Sequence, residues 1–149
     1  MQLPTAFEER TRLLLGQEYP AFIKALNETA PTSIRVNDKM NYVPSSQKVE
    51  WCESGYYLPE RPSFTSDPFF HAGVYYVQEA SSMFLQQAIN QQFPDAKNIL
   101  DICAAPGGKT TLLSQSFDND TLIVSNEIIR SRVKILAENV IKWGNANVI

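Results

Sequence analysis

The chain has 149 residues, 44% of them hydrophobic, with 13 basic and 16 acidic side chains for a net charge of −3. A core of ordinary size fits this length, whereas the acid excess argues against a dedicated basic nucleic-acid arm. The sequence shows neither an apolar run of bilayer-spanning length nor a signal peptide at Glu8-Glu9-Arg10, so a soluble cytoplasmic protein with no membrane partner is expected.

Residues 1 to about 30 read as helical. Thr5 followed by Glu8 fits a capping box, and Phe7, Leu13, Leu14 and Leu15 give an apolar side before Gly16. A second helix is expected from Tyr19-Pro20, with Pro20 in the first turn and Phe22, Ile23 and Leu26 buried. This is a packing element without chemistry of its own.

Residues 31 to about 72 are rich in proline and aromatic side chains. In Ser33-Ile-Arg-Val-Asn37, Ile34 and Val36 alternate with polar neighbours, which marks a half-buried strand. Arg35 reads as a surface charge on that strand, with phosphate contact as its functional alternative. Trp51 and Tyr56-Tyr57-Leu58 suggest another strand, closed by Pro59 and Pro62, and an ordered loop continues to Phe70. His71, the single histidine, reads as structural.

Residues 73 to 149 alternate strand and helix patterns. After Tyr75-Tyr-Val77, residues 78–93 place Phe84, Leu85, Ala88 and Ile89 on one helical face. A strand is expected at about 98–102, a helix at 108–116, a turn at Asp118-Asn-Asp120 and a strand at 122–125. A helix at about 128–143 follows, with Ile129, Val133, Leu136 and Val140 at helical spacing and Gly144 as its stop. Asn147-Val-Ile149 begins a third strand. A parallel sheet is ordinarily covered on both faces by its crossovers, so the chain is expected to be a fragment of a longer protein. Arg130 and Lys134, four apart, read as a solvated face or, alternatively, an RNA-facing edge.

Chemistry concentrates in Asn98-Ile-Leu-Asp-Ile-Cys-Ala-Ala-Pro-Gly-Gly-Lys-Thr110. A strand that breaks into a glycine-containing turn and restarts as a helix lets backbone N–H groups approach a ligand. Glu127, just after the second strand, is placed to accept ribose hydroxyls, so NAD, FAD and S-adenosylmethionine are all open at this point. The loop lacks G-x-G-x-x-G spacing, which favours a ligand without phosphates. Gly108-Lys109-Thr110 matches the end of a phosphate loop, but Cys103 stands where its first glycine is needed. Cys52 and Cys103 have no CxxC spacing or histidine partner, so no metal site and no disulfide is expected.

The run from Asp101 to Thr110 closely resembles the cofactor motif of the Sun (Fmu) family of RNA cytosine-5 methyltransferases, bacterial ribosomal-RNA type. Supporting matches are Ser33-Ile-Arg-Val-Asn37, Gly55-Tyr-Tyr-Leu58 with Arg61-Pro62, and Tyr76-Val-Gln-Glu-Ala-Ser-Ser-Met83. The resemblance implies an α/β chain: a small α+β N-terminal region, 1–72, and the first half of a Rossmann-like methyltransferase domain, 73–149. It implies that Cys103, Ala104, Ala105, Pro106, Gly107, Gly108 and Lys109 line S-adenosylmethionine, with Glu127 on its ribose, and that the substrate is RNA, most strongly ribosomal RNA. In the family a cysteine thiolate adds to carbon 6 of cytosine and a second cysteine helps release the product. Those cysteines follow a proline and a threonine downstream of the cofactor loop. Cys52 follows Trp51 and Cys103 follows Ile102, so no catalytic residue is expected in this chain and it should be inactive alone. A non-catalytic RNA-binding or assembly module with a vestigial cofactor fold is the alternative.

Overall fold

The computed structural model describes residues 3–149, which divide into two compact units meeting in sequence between Pro31 and Thr32. Met1 and Gln2 of the expected helical stretch lie outside the described residues.

The first unit is a helical pair: α1, Thr5–Leu15, a 3₁₀ turn at Gly16–Glu18, and α2, Tyr19–Asn27. The expected capping box does not form. Thr5 is already helical, and the Pro4 carbonyl accepts the first bonds, from Phe7 and Glu8 at 2.9 and 3.1 Å. Leu13 and Leu14 are exposed, and Phe22, Ile23 and Leu26 are half-buried rather than buried. Two short helices bury only the stripe they share, here centred on the tilted pair Phe7 and Phe22.

The second unit opens with an antiparallel sheet of β1, Thr32–Val36, β2, Lys48–Val49, β3, Cys52–Leu58, and β4, Tyr75–Val77, in the order β2-β3-β1-β4. Its central strand β1 pairs Ile34 with Tyr56 on one side and with Val77 on the other. Ile34 and Val36 pack into an aromatic core with Tyr56, Phe64, Val74 and Tyr75. The opposite face is also covered, so Arg35 is 1% exposed and the expectation of a surface charge is corrected. Alternation along β1 separates two interiors rather than interior from water.

Residues 59–70, expected as loop, contain a 3₁₀ turn at Phe64–Ser66 and the start of α3, Pro68–His71. Asp67 caps α3 through the Phe69 N–H at 2.9 Å, and His71 Nε2 lies 2.9 Å from the Thr65 carbonyl, in keeping with a structural role.

The expected helix over 78–93 is two pieces, α4, Ala80–Met83, and α5, Leu85–Gln92. Ile89 is buried as its spacing requires, but Phe84 at the junction is exposed and meets Trp51 edge-on at 6.1 Å. Then follow β5, Asn98–Asp101, α6, Gly108–Ser116, β6, Leu122–Ser125, and α7, Arg130–Trp143. Strands β5 and β6 are parallel, in register from Asn98 with Leu122 to Asp101 with Ser125. The third strand begins where expected: Val148 bridges Ile123 in parallel, with Ile123 N to Asn147 O and Ile149 N to Ile123 O both at 2.9 Å.

Ile123 lies on the covered face of this sheet in a core with Met83, Ile89, Leu112 and Leu113. On the other face Leu100, Leu122 and Val124 are exposed. In α7, Leu136 is buried while Val133 is open, as is Ile129 just before the helix. The division expected at 72/73 falls inside this compact unit, because β4 completes the antiparallel sheet before the alternation of helix and parallel strand begins. No helix among the described residues is long and apolar enough to cross a membrane.

Candidate functional site

The loop between β5 and α6 is shaped by its own backbone. Gly107 has φ +110°, a left-handed conformation that favours glycine, and a Cβ there would stand 3.3 Å from Leu136 Cδ1. Its N–H donates to the Ala104 carbonyl at 2.7 Å, closing a tight turn immediately before α6. Thr111 then caps that turn twice, donating to the Gly107 carbonyl through its N–H at 2.9 Å and its hydroxyl at 2.8 Å.

The other end of the loop is sewn to the end of β6. Asn126 N donates to Asp101 O at 2.8 Å, Ala104 N donates to Asn126 O at 3.0 Å, and Asn126 Nδ2 reaches Ile102 O at 3.0 Å. These bonds carry the chain past Ser125 so that Glu127 stands beside the loop. The Glu127 side chain is 4% exposed; Oε1 accepts the Ile129 N–H at 2.9 Å and Oε2 lies 3.4 Å from Arg132. Arg132 also donates to the Ala105 carbonyl at 2.5 Å, so one guanidinium links Glu127 to the loop.

A cleft of about 390 Å³ has Cys103, Ala104, Ala105, Pro106, Gly108 and Lys109 as one wall. Tyr76, Val77, Gln78, Glu79 and Ser82, from the end of β4 and the start of α4, form the other. Of the expected site residues, six therefore line one cavity. Gly107 faces Leu136 and Asn139 on α7 instead, and Glu127 joins the group through Arg132 rather than by lining the cleft.

The second wall was expected only as a supporting motif, and behind it lies Arg35. The guanidinium has no carboxylate partner within ion-pair distance among the described residues. It bonds Gln78 Oε1 at 2.8 Å, Thr111 Oγ1 at 2.6 Å and Gln115 Oε1 at 2.6 Å, and stacks 4.4 Å from the centre of the Trp143 ring. Burial without a counter-ion lowers its pKa from the ordinary arginine range to about 10. Burial also raises the Tyr76 phenol, against the opposing pull of Arg35. Hydrophobic periodicity carries no signal for such a cation, because a polar residue at an alternate strand position reads as exposed.

Cys103 is exposed at the cleft, whereas Cys52 is buried, its sulfur 3.6 Å from Ser54 Oγ. Arg130 and Lys134 are solvent-exposed. Among the described residues no group of three His, Cys, Asp or Glu side chains could hold a metal ion.

Residues 3–80 match the family described as the N-terminal domain of 16S rRNA methyltransferase RsmF, and residues 87–149 match 16S rRNA methyltransferase RsmB/F. The chain is 36% identical over 142 residues to ribosomal RNA small subunit methyltransferase F of Aliivibrio salmonicida, covering 85% of this chain and 30% of that protein. The counterpart from Serratia proteamaculans is 32% identical over 98% of this chain and 34% of its own length. The chain thus spans about a third of the curated relatives it matches. The solved structure of a methyltransferase homolog protein from Pyrococcus horikoshii superposes with a TM-score of 0.82 at 30% identity, covering 99% of this chain and 52% of that one. NSun6 from the same organism, solved with SFG, has the same fold at TM-score 0.74 and 17% identity, covering 98% of this chain and 64% of its own. The chain is accordingly a small N-terminal region followed by part of a Rossmann-like methyltransferase fold.

Proposed function

The chain belongs to the RsmB/F family of 16S rRNA methyltransferases, and from that premise we propose that its loop, cleft and Glu127 form the S-adenosylmethionine site of an RNA cytosine-5 methyltransferase acting on ribosomal RNA in the cytoplasm. The observation that carries this reading is the convergence of Cys103–Lys109 and Glu127 at the carboxyl ends of two adjacent parallel strands. Ligands of open α/β sheets bind at such strand ends.

The residues present fit the group. Gly107 permits the turn that leaves a concave wall, and the cleft offers Lys109 and the Gln78 amide as donors. Glu127 offers a carboxylate with acceptor capacity beyond its two protein contacts. Bound here, S-adenosylmethionine would supply an electrophilic methyl group. The roles of the chain's own residues are to bind and orient. Residues 103–109 hold the ligand against backbone, Glu127 takes the ribose hydroxyls, and Arg132 keeps Glu127 registered on the loop. In this reading residues 1–72 serve as an accessory region that contacts RNA, and residues 73–149 carry the methyl donor. Neither Cys52 nor Cys103 stands in a sequence context that the reaction's cysteines require, so this chain by itself transfers no methyl group.

Titration calorimetry of the chain with S-adenosylmethionine tests the site. Saturable binding that is lost in Glu127→Ala is the expected result. Absence of binding, or binding indifferent to Glu127, would overturn the assignment, and methyl transfer to RNA by the chain alone would overturn its inactivity.

A further inference from the structure

Gln78 forms part of the cleft wall and is 7% exposed. Its backbone is pinned to β1: its N–H donates to the Ser33 carbonyl at 3.3 Å, and its carbonyl accepts the Ser33 hydroxyl at 2.6 Å. The orientation of its amide follows from Arg35. A guanidinium nitrogen can only donate, so the atom 2.8 Å from Arg35 Nε is the amide oxygen. The nitrogen is thereby turned the other way, where one N–H reaches the Gly108 carbonyl at 3.3 Å. An amide nitrogen has two N–H groups. The second has no protein acceptor among the described residues, on a side chain that borders open space.

Arg35 cannot swing away to release this arrangement. Its remaining nitrogens are bound to Thr111 and Gln115 on α6, and Trp143 lies against its face. Its charge stands behind this wall, and the N-terminus of the nine-residue α6, at Gly108 and Lys109, faces the cleft from the other. Such a cleft favours a ligand oxygen that carries negative charge, and it offers that oxygen a fixed donor.

We propose that Gln78, oriented by Arg35, is a ligand-binding residue that recognises a carboxylate, the amino-acid carboxylate of an adenosyl amino acid. This rests on the cofactor reading above and adds to it which residue of the second wall takes which end of the ligand.

The test compares two thioethers, S-adenosylhomocysteine and 5′-methylthioadenosine, which share the thioadenosine group while the second lacks the amino-acid end, carboxylate and ammonium together. The sign of the Gln78→Glu effect separates these two charges, since a new carboxylate repels a carboxylate and attracts an ammonium. Wild-type chain is expected to bind the first more tightly. Gln78→Glu keeps the side-chain shape and gives Arg35 a counter-ion, so the thermal midpoint should hold or rise, while like charges meet in the cleft. Its expected effect is loss of about tenfold or more in affinity for S-adenosylhomocysteine, with 5′-methylthioadenosine changed by less than about twofold. Gln78→Met, neutral and of similar length, should give a smaller loss with the same selectivity, and it carries the test if the glutamate variant does not fold. Equal weakening of both ligands, or no weakening of either, overturns the role of Gln78. If the wild-type chain binds both ligands equally, this inference falls and the cofactor reading stands; if it binds neither, both fall.

Discussion

Thr110 Oγ1 donates a 2.8 Å hydrogen bond to Asp101 Oδ2, tying the last residue of β5 to the first turn of α6 across the loop that separates them. Thr110 is fully buried, so its hydroxyl has no water to fall back on. Thr110→Val preserves the shape, deletes the donor and leaves the carboxylate oxygen without it. The expected loss is about 1–3 kcal/mol, read from the urea midpoint, while Thr110→Ser keeps the donor and should lose less. A valine variant as stable as wild type would show that the bond adds nothing to holding the loop.

The two faces of the β5–β6 sheet should respond very differently to truncation. Ile123, fully buried against Met83 and Leu112, is expected to cost about 2–5 kcal/mol as Ile123→Ala. Leu100, one strand away and 61% exposed, should change stability by less than about 0.5 kcal/mol as Leu100→Ser. Chemical denaturation of both variants checks the contrast; a large loss at Leu100 would mean that its face is covered in solution.

Elements of the second unit are legible in the sequence because their ends coincide with local chemistry. Helix α6 runs over 108–116 as expected since Gly107 precedes it, Gly108 opens it and an Asp-Asn-Asp turn follows. The same local logic fails for Arg35. Period two reports which residues share a face of a strand, not whether that face meets water, and β1 is covered on both sides. Gln78 was invisible for a related reason: its importance lies in Arg35, 43 positions away in the sequence, which alone sets its amide. Glu127 was legible as an acid after a strand, but nothing in the sequence singles out Arg132, which joins it to Ala105.

Alkaline pH should unfold the protein through its buried phenols. Tyr75 donates to Asp67 Oδ2 at 2.5 Å, and burial first, then the bond and charge of Asp67, hold its pKa well above the ordinary 10.0; burial also raises Tyr76. Above pH 10 the unfolded chain loses these protons while the folded chain keeps them, so stability present below that pH is lost as pH rises. Arg35 acts with the opposite sign. Its folded pKa is lowered to about 10, so its burial penalty relaxes as pH rises above that value. Two phenols oppose one guanidinium. Tyr75→Phe should therefore cost about 1 kcal/mol near neutral pH and a smaller amount near pH 11, because the substitution also removes one titrating group. Urea midpoints at the two pH values decide it, and a penalty that stays constant or grows at high pH contradicts the linkage.

Glu127 and Arg132 should prove coupled in ligand binding. The carboxylate has about four lone-pair directions, of which the Ile129 N–H takes one and Arg132 approaches another at 3.4 Å. Capacity for two ribose hydroxyls remains. Glu127→Gln retains the shape but halves the acceptor set, and affinity for S-adenosylhomocysteine is expected to fall by about 1.5–3 kcal/mol. Arg132→Met leaves the acceptors in place and removes only what registers Glu127 on the Ala105 carbonyl, so its loss should be smaller. Because the arginine acts through the carboxylate, the double variant should bind like Glu127→Gln alone, a non-additivity that calorimetry reads directly. The ribose assignment has its own readout. Wild-type chain should prefer 5′-methylthioadenosine over its 2′-deoxy form, and Glu127→Gln should not; equal discrimination in both would remove Glu127 from the ribose.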